Sequence, residues 1–276
     1  MKPLVDDGLG GVATWPGSHR AAGWVRLDGT RRTTGDAERV HPLASVTKLL
    51  TTMGVLVAVQ EEIVHLDEAA GPPGSTVRHL LSHASGLPFD GDVPIAAPGQ
   101  RRIYGNRAFE LLPSLVAERA EVPFADYLQE GVLSPLEMVD TTLTGSPAHG
   151  GRSTLADLLS LALELLRPGR VLADELLAEA TTPYLPDLEG VLPGFGRQSP
   201  NPWGVGFEVR GHKTPHWTPA EASPQTFGHF GGSGAFVWVD PVADVACVGL
   251  ADRLFGNWAM EAWPAVGSAV LTAAAR

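Results

Sequence analysis

The stretch His41–Leu50, HPLASVTKLL, sets a serine three residues ahead of a lysine at the mouth of a long apolar run. From Ser45 to about Val64, apolar residues recur at three- and four-residue steps: Leu49, Leu50, Met53, Leu56, Val57 and Ile63. That periodicity predicts a helix. Residues i and i+3 share a helix face, with Cβ atoms roughly 5–6 Å apart, so Ser45 and Lys48 can meet. A helix start also gathers unpaired N–H groups and the positive end of the dipole. There a serine alkoxide is favoured and an ammonium disfavoured, so a buried Lys48 can act as a neutral base toward the Ser45 hydroxyl. The alternative is a capping serine with an incidental lysine in its first turn. Lysine is scarce in this chain, at positions 2, 48 and 213 alone.

Outward from this stretch, the character of the chain changes twice. The first 40 residues carry short alternating runs, with Asp28-Gly29 reading as a hairpin turn. Helical patterns follow: a short one from Ser75 or Thr76 that stops at Gly86 and Pro88, then Asn106 to Ala120, Ala125 to Glu130 and Leu155 to Leu166. Residues 183 to 203 are rich in Pro and Gly and read as a long connection. Strand character returns in WGVGFEV, TFGHFGGSGAFVWVD and DVACVGLAD, with Asp240-Pro241 at a turn between the last two. From Trp258 onward a closing helix is expected. Segregated strands and helices predict an α+β fold in which both ends of the chain share one antiparallel sheet. The expected division is a sheet lobe from residues 1–60 and 200–276 and a mostly helical lobe from 61–199. The two form one catalytic unit with the site between them.

Composition narrows the function classes. The chain has 276 residues, 44% of them hydrophobic and 18% charged, which suits a folded chain with a sizeable core rather than a disordered one. Its formal net charge of −11 and the lack of a basic stripe argue against a nucleic-acid or anionic-membrane partner. One cysteine, Cys247, cannot build a disulfide framework and reads as a small buried hydrophobe. The opening MKPLVDDGLG does not read as a secretory signal, and no run suits a membrane span, so the expected location is the cytoplasm. His79 and His83 have the i, i+4 spacing of zinc ligands. Leu80 stands where a catalytic Glu would be, however, and no third ligand is evident, so no metal or other cofactor is expected and His83 is read as bonding locally.

Two further elements bear on Ser45. Tyr104 and Asn106 precede a helix; a phenol there can shuttle a proton to a leaving group, and the amide can cap the helix or bond Lys48. In HFGGSGAF, glycines 231, 232 and 234 follow His229 and Phe230. Glycines inside a strand are costly unless a second group must approach closely, and a backbone N–H there can serve an oxyanion hole.

Taken in order, LASVTKLLT, LLSHASGLP, YGN and HFGGSGAF resemble the signature elements of the serine β-lactamase-like and penicillin-binding-protein-like hydrolases, the S-x-x-K family. The class C β-lactamase and esterase branch is most similar, from about residue 10 to the C-terminus. The resemblance implies a β-lactamase/transpeptidase-like fold and a two-step acyl transfer. It implies that Ser45 is the acylated nucleophile, Lys48 its base, Tyr104 the proton shuttle and Asn106 a polar partner. His229, Phe230 and Gly231 match the third motif, and the N–H groups of Ser45 and Gly232 match the oxyanion hole. The motif's lysine and hydroxyl residue are replaced here by His229 and Phe230, which weakens carboxylate binding. The expected activity is therefore a carboxylesterase on small acyl esters. A β-lactamase or D-amino-acid amidase or peptidase is the second reading, and a non-catalytic binding or regulatory relative the third. The expected partner is a small-molecule ester or amide substrate; the oligomeric state is left open.

Overall fold

A computed structural model describes residues 7–276; Lys2 and most of the opening decapeptide lie outside the described residues. Strands β1 (Arg20–Arg26) and β2 (Arg31–Gly35) form the first hairpin. Asp28 Oδ1 accepts from the Thr30 N–H at 2.8 Å, and Gly29 sits at φ +85°. A short strand β3 (His41–Pro42) and one 3₁₀ turn (Ala44–Val46) lead into helix α1 (Thr47–Gln60). Then come α2 (Val77–Leu81), α3 (Arg107–Ala120), α4 (Phe124–Leu128), β4 (Thr142–Leu143), β5 (Gly151–Ser153), α5 (Leu155–Leu166) and α6 (Asp174–Thr181). A small hairpin follows, β6 (Gly190–Leu192) and β7 (Gly196–Gln198). The chain closes with β8 (Glu208–Val209), β9 (Phe227–Gly231), β10 (Ala235–Asp240), β11 (Val245–Ala251) and α7 (Asn257–Ala274).

The main sheet has six strands in the order β2-β1-β11-β10-β9-β8, and the pairings among them are antiparallel. The first strand and the last are thus neighbours, Gly23 opposite Val248, as the segregated pattern requires. The fold is α+β, with both ends of the chain in one antiparallel sheet.

Side chains alternate across this sheet into two cores. Val237, Val239, Val248 and Leu250 join α1 and α5 on one side. Trp24, Phe236, Trp238 and Cys247 join Trp263, Val266 and Val270 of α7 on the other. Both faces are covered, so β10 and β11 read as continuous apolar runs rather than as alternating ones, and each large side chain contributes roughly 1.5–3 kcal/mol by leaving water.

Helix α1 is buried from Thr47 through Ala58 on every side. A helix apolar all round belongs inside a protein, and this one carries Lys48 in its first turn. The helix is shorter than the pattern predicts: Glu62, at φ +60°, turns the chain away soon after Gln60. Two other expectations need correcting. The Pro- and Gly-rich connection at 183–203 contains the β6–β7 hairpin, whose three-residue strands are too short to register as a pattern. The WGVGFEV run yields only the two-residue β8, with Trp203 bridged back to Glu208.

Candidate active site

Ser45 lies in the 3₁₀ turn immediately before α1. Ala44 ahead of it is held at φ +44°, a left-handed conformation that costs a non-glycine residue about 1–3 kcal/mol and commonly marks a functional turn. Three residues on, Lys48 is fully buried. Its Nζ donates to Asn106 Oδ1 at 2.9 Å, to the Ala148 carbonyl at 3.0 Å and to Ser45 Oγ at 3.5 Å. None of these acceptors is a carboxylate. Burial pushes the Lys48 amine down to about 7, against weaker upward pulls from Glu110 and Asp90. The rings of Tyr104 and Phe109 lie 5.0 and 5.7 Å from Nζ, near enough for their faces to steady a transient ammonium.

Asn106 occupies the N-cap position of α3, but its side chain makes no cap bond there. It is turned instead toward Lys48, and its amide nitrogen donates to Asp90 Oδ1 at 3.4 Å. Tyr104 is half-buried in an aromatic enclosure, with ring centroids 4.7 Å from His83, 5.7 Å from His229 and 6.0 Å from Trp203. Burial raises its phenol pKa, with a hydrogen bond to Ser45 pulling slightly the other way, so the group stays protonated in ordinary buffers.

Strand β9 closes the site from the sheet side. A Cβ at Gly231 would stand 2.2 Å from the Leu43 carbonyl oxygen and 3.2 Å from the Ser45 nitrogen, so only glycine allows this approach. The next residue, Gly232, has open space where a Cβ would be. Among the described residues, no acceptor is found for the N–H of Ser45 or of Gly232. Two unpaired donors on neighbouring segments make an arrangement suited to a developing oxyanion.

His229 and Phe230 point to opposite faces of β9. His229 Nδ1 donates to the Phe230 carbonyl at 2.6 Å, which fixes the proton on that nitrogen. Burial lowers the ring's pKa to about 3, with Lys48 adding to the effect, so the imidazole is neutral at ordinary pH. Its Nε2 lone pair is buried and finds no partner among the described residues. Phe230 packs among Phe195, Trp217, Phe255 and Trp263.

A cavity of about 210 Å³ opens from Ser45 between these walls. Phe89, Leu192, Pro193, Phe230 and Phe255 make it mainly apolar, with Tyr104, His229 and Gly232 at the reactive end. None of the lining residues is a lysine or arginine.

The motifs therefore converge, but several wall residues carry no motif. Glu208 lines the cavity from a buried cluster: Lys213 Nζ donates to its Oε1, His216 Nε2 lies 3.0 Å from the same oxygen, and Trp217 Nε1 donates to Oε2 at 2.8 Å. Burial alone would raise the Glu208 pKa; Lys213 and His216 outweigh it and hold the carboxylate ionised. A charged residue inside the apolar run WGVGFEV, together with one of the chain's three lysines nearby, was the available signal.

His83 departs from expectation. It lies beyond the end of α2 at φ +54°, and neither ring nitrogen has a hydrogen-bond partner among the described residues. The locally bonded histidine is His79, 2.8 Å from Thr76 Oγ1 and 3.5 Å from the Tyr184 hydroxyl. The turn at His83 sends its ring against Tyr104, Phe109 and Trp203 instead. Among the described residues there is no cluster of three or more metal-ligating side chains.

A family model described as Beta-lactamase matches residues 17–270. Among solved structures, a beta-lactamase (Mb2281c) from Mycobacterium bovis is 49% identical, with a TM-score of 0.95 over 98% of this chain and 100% of the other. A LovD6 mutant of simvastatin synthase from Aspergillus terreus has a TM-score of 0.80 at 16% identity, covering 97% and 93% of the two chains, a likeness of fold alone. Among curated proteins, the D-alanyl-D-alanine-carboxypeptidase/endopeptidase AmpH of Escherichia coli K12 is 28% identical over 157 residues. That match takes in 44% of this chain and 41% of the relative.

Proposed function

Since the chain belongs to the Beta-lactamase family of serine hydrolases, we propose that it is an acyl-transferring carboxylesterase in which Ser45 is the nucleophile and Lys48 its base. The observation that carries this reading is the burial of Lys48 with neutral acceptors only. An ammonium without a carboxylate partner is costly in such a place, and a neutral amine 3.5 Å from a serine hydroxyl is a base in position.

In the first step the Ser45 oxygen attacks the substrate carbonyl and Lys48 takes its proton. The N–H groups of Ser45 and Gly232 receive the charge that develops on the carbonyl oxygen. Tyr104, kept protonated by burial, donates its hydroxyl proton to the leaving group and is reprotonated from Lys48. The acyl group is then released to water, with Ser45 regaining its proton. Asn106 holds the Lys48 amine toward Ser45.

The neutral wall disfavours substrates that set a carboxylate against His229 and Phe230, and so favours esters over β-lactams. His229 offers an acceptor lone pair, Phe230 a hydrocarbon ring, and Glu208 a carboxylate already saturated by its donors. None of these binds an anion. The 49% identity to a protein described as a beta-lactamase favours a second reading, β-lactam hydrolysis on the same serine. The two are separated by comparing p-nitrophenyl butyrate with nitrocefin. Butyrate turnover is expected to dominate, and efficient hydrolysis of penicillins would reverse the preference.

A further inference from the structure

A second depression adjoins the first, with Phe89, Tyr104 and Pro193 lining both. It is larger, about 550 Å³, and its chemistry is different. Arg101, Arg102 and Arg197 line it, and Glu189 is the one acid among its lining residues. In a chain of net charge −11 this is a local excess of positive charge. It is also apolar: Phe89, Ile95 and Val191, 50%, 56% and 59% exposed, line the same depression. Exposed apolar residues gathered beside cations mark a binding surface for something that is itself amphiphilic.

The groove is built into the fold. Arg102 forms a β-bridge with Gly190, where a Cβ would stand 2.5 Å from the Arg102 backbone oxygen, and so ties the β6–β7 hairpin to the segment that carries Tyr104. The buried Arg102 guanidinium donates to the carbonyls of Ser82, Asn201, Tyr184 and Leu185 and has no carboxylate partner among the described residues. Burial lowers its pKa to about 10, which leaves it charged at neutral pH. Arg197 is paired with Glu189 at 2.6 Å. Arg101 bonds one carbonyl, that of Ile95 at 3.2 Å, and keeps its other donors for a ligand.

We propose that this groove is the leaving-group subsite, and that the natural substrate joins a neutral acyl group to a partly apolar alcohol, thiol or amine bearing an anion such as a carboxylate, sulfate or phosphate. This rests on the hydrolase reading. The acyl group occupies the apolar cavity at Ser45. The leaving group passes Tyr104, its proton donor, and lies along the groove, where Arg101 and Arg197 meet its anion. That anion sits beyond Tyr104, away from the neutral wall of His229 and Phe230. The arginines act as exposed charges, so each is worth about threefold at low salt and less at high salt.

The test pairs two butyrates of similar leaving group, 4-nitrophenyl butyrate and the anionic 3-carboxy-4-nitrophenyl butyrate, with rates normalised to alkaline hydrolysis. Arg101→Ser/Arg197→Ser is expected to lower kcat/KM for the anionic ester about tenfold and to leave the neutral ester within twofold, which also reports intact folding. Added salt should shrink the wild-type preference. Equal losses on both esters, or no loss on the anionic one, would overturn the subsite. Titration of the wild-type and variant proteins with the released phenols, 5-hydroxy-2-nitrobenzoate and 4-nitrophenol, needs no turnover. Preferential binding of the benzoate that disappears in the double variant supports the subsite even in a chain that hydrolyses neither ester, an outcome that would sink only the hydrolase reading. Equal binding of the two phenols contradicts the subsite outright.

Discussion

Lys48 and Lys213 are both buried, each bonded to a residue that lines the cavity at Ser45, yet their surroundings offer them different partners. Lys213 donates to the Glu208 carboxylate, to Asn201 Oδ1 at 3.2 Å and to the Pro202 carbonyl at 3.1 Å. Burial lowers its pKa, but Glu208 opposes the change and the two form a closed ion pair. Among the described residues Lys48 has only neutral acceptors, and Glu110 and Asp90 act on it from a distance. On the proposed reading, Lys213 neutralises a buried carboxylate, and Lys48, lacking one, serves as the base.

That contrast can be broken most decisively through activity. Lys48→Arg is expected to lower ester kcat/KM by about 10³–10⁴-fold, because arginine stays protonated and cannot accept the Ser45 proton. Retention of substantial activity in the arginine variant would leave Lys48 no role as base.

The next effect is on stability and separates the two lysines. Lys213→Met leaves a buried carboxylate short of its partner and is expected to cost about 3–5 kcal/mol in chemical denaturation. Lys48→Met should fold at least as stably as wild type. The sign follows from linkage: the Lys48 pKa is depressed in the folded state, so its contribution to stability rises with pH between about 7 and its ordinary 10.5 and is lost below that window. The advantage of Lys48→Met is therefore expected to be constant below pH 7 and to narrow as pH rises toward 10.5. Equal destabilisation by the two methionine variants would erase the distinction.

Smaller effects sharpen the same point. Wild-type kcat/KM should climb tenfold per pH unit below about 6 and level off above about 8, as Lys48 loses its proton near 7. Glu110→Gln removes an upward pull and should move that limb toward lower pH, raising the rate at pH 6 about twofold. A limb that stays in place or moves the other way would show that a different group controls it.

How much of this could be read from the chain depended on spacing. Ser45 and Lys48 are three residues apart, and local geometry suffices to bring them together. Tyr104, Asn106 and the His229–Gly232 segment were legible through short motifs, since each combines a reactive or flexible residue with a fixed neighbour. Asn106 reaches Lys48 across 58 positions, a contact that no local pattern specifies. The ring of His83 was not legible for the same reason, since Tyr104, Phe109 and Trp203 come from distant segments, and the β6–β7 hairpin was hidden by strands of three residues; the partners of Glu208 lie within nine residues of it, but in an irregular segment with no periodic pattern to place them. In the fold, the strongly periodic α5 falls at the expected residues, Leu155–Leu166. The apolar pattern runs on past the end of α1 at Gln60, because burial on every side removes the contrast that marks where a helix stops.

The most direct test is the pH dependence of fluorophosphonate labelling, followed by intact mass and by peptide mapping of the adduct. The expected result is one adduct, on Ser45, absent from Ser45→Ala, with a labelling rate that rises through a single ionisation near pH 7. An unlabelled wild-type chain, an adduct that persists in Ser45→Ala, or a rate indifferent to pH between 5 and 9 would contradict a Ser45 nucleophile activated by a neutral Lys48.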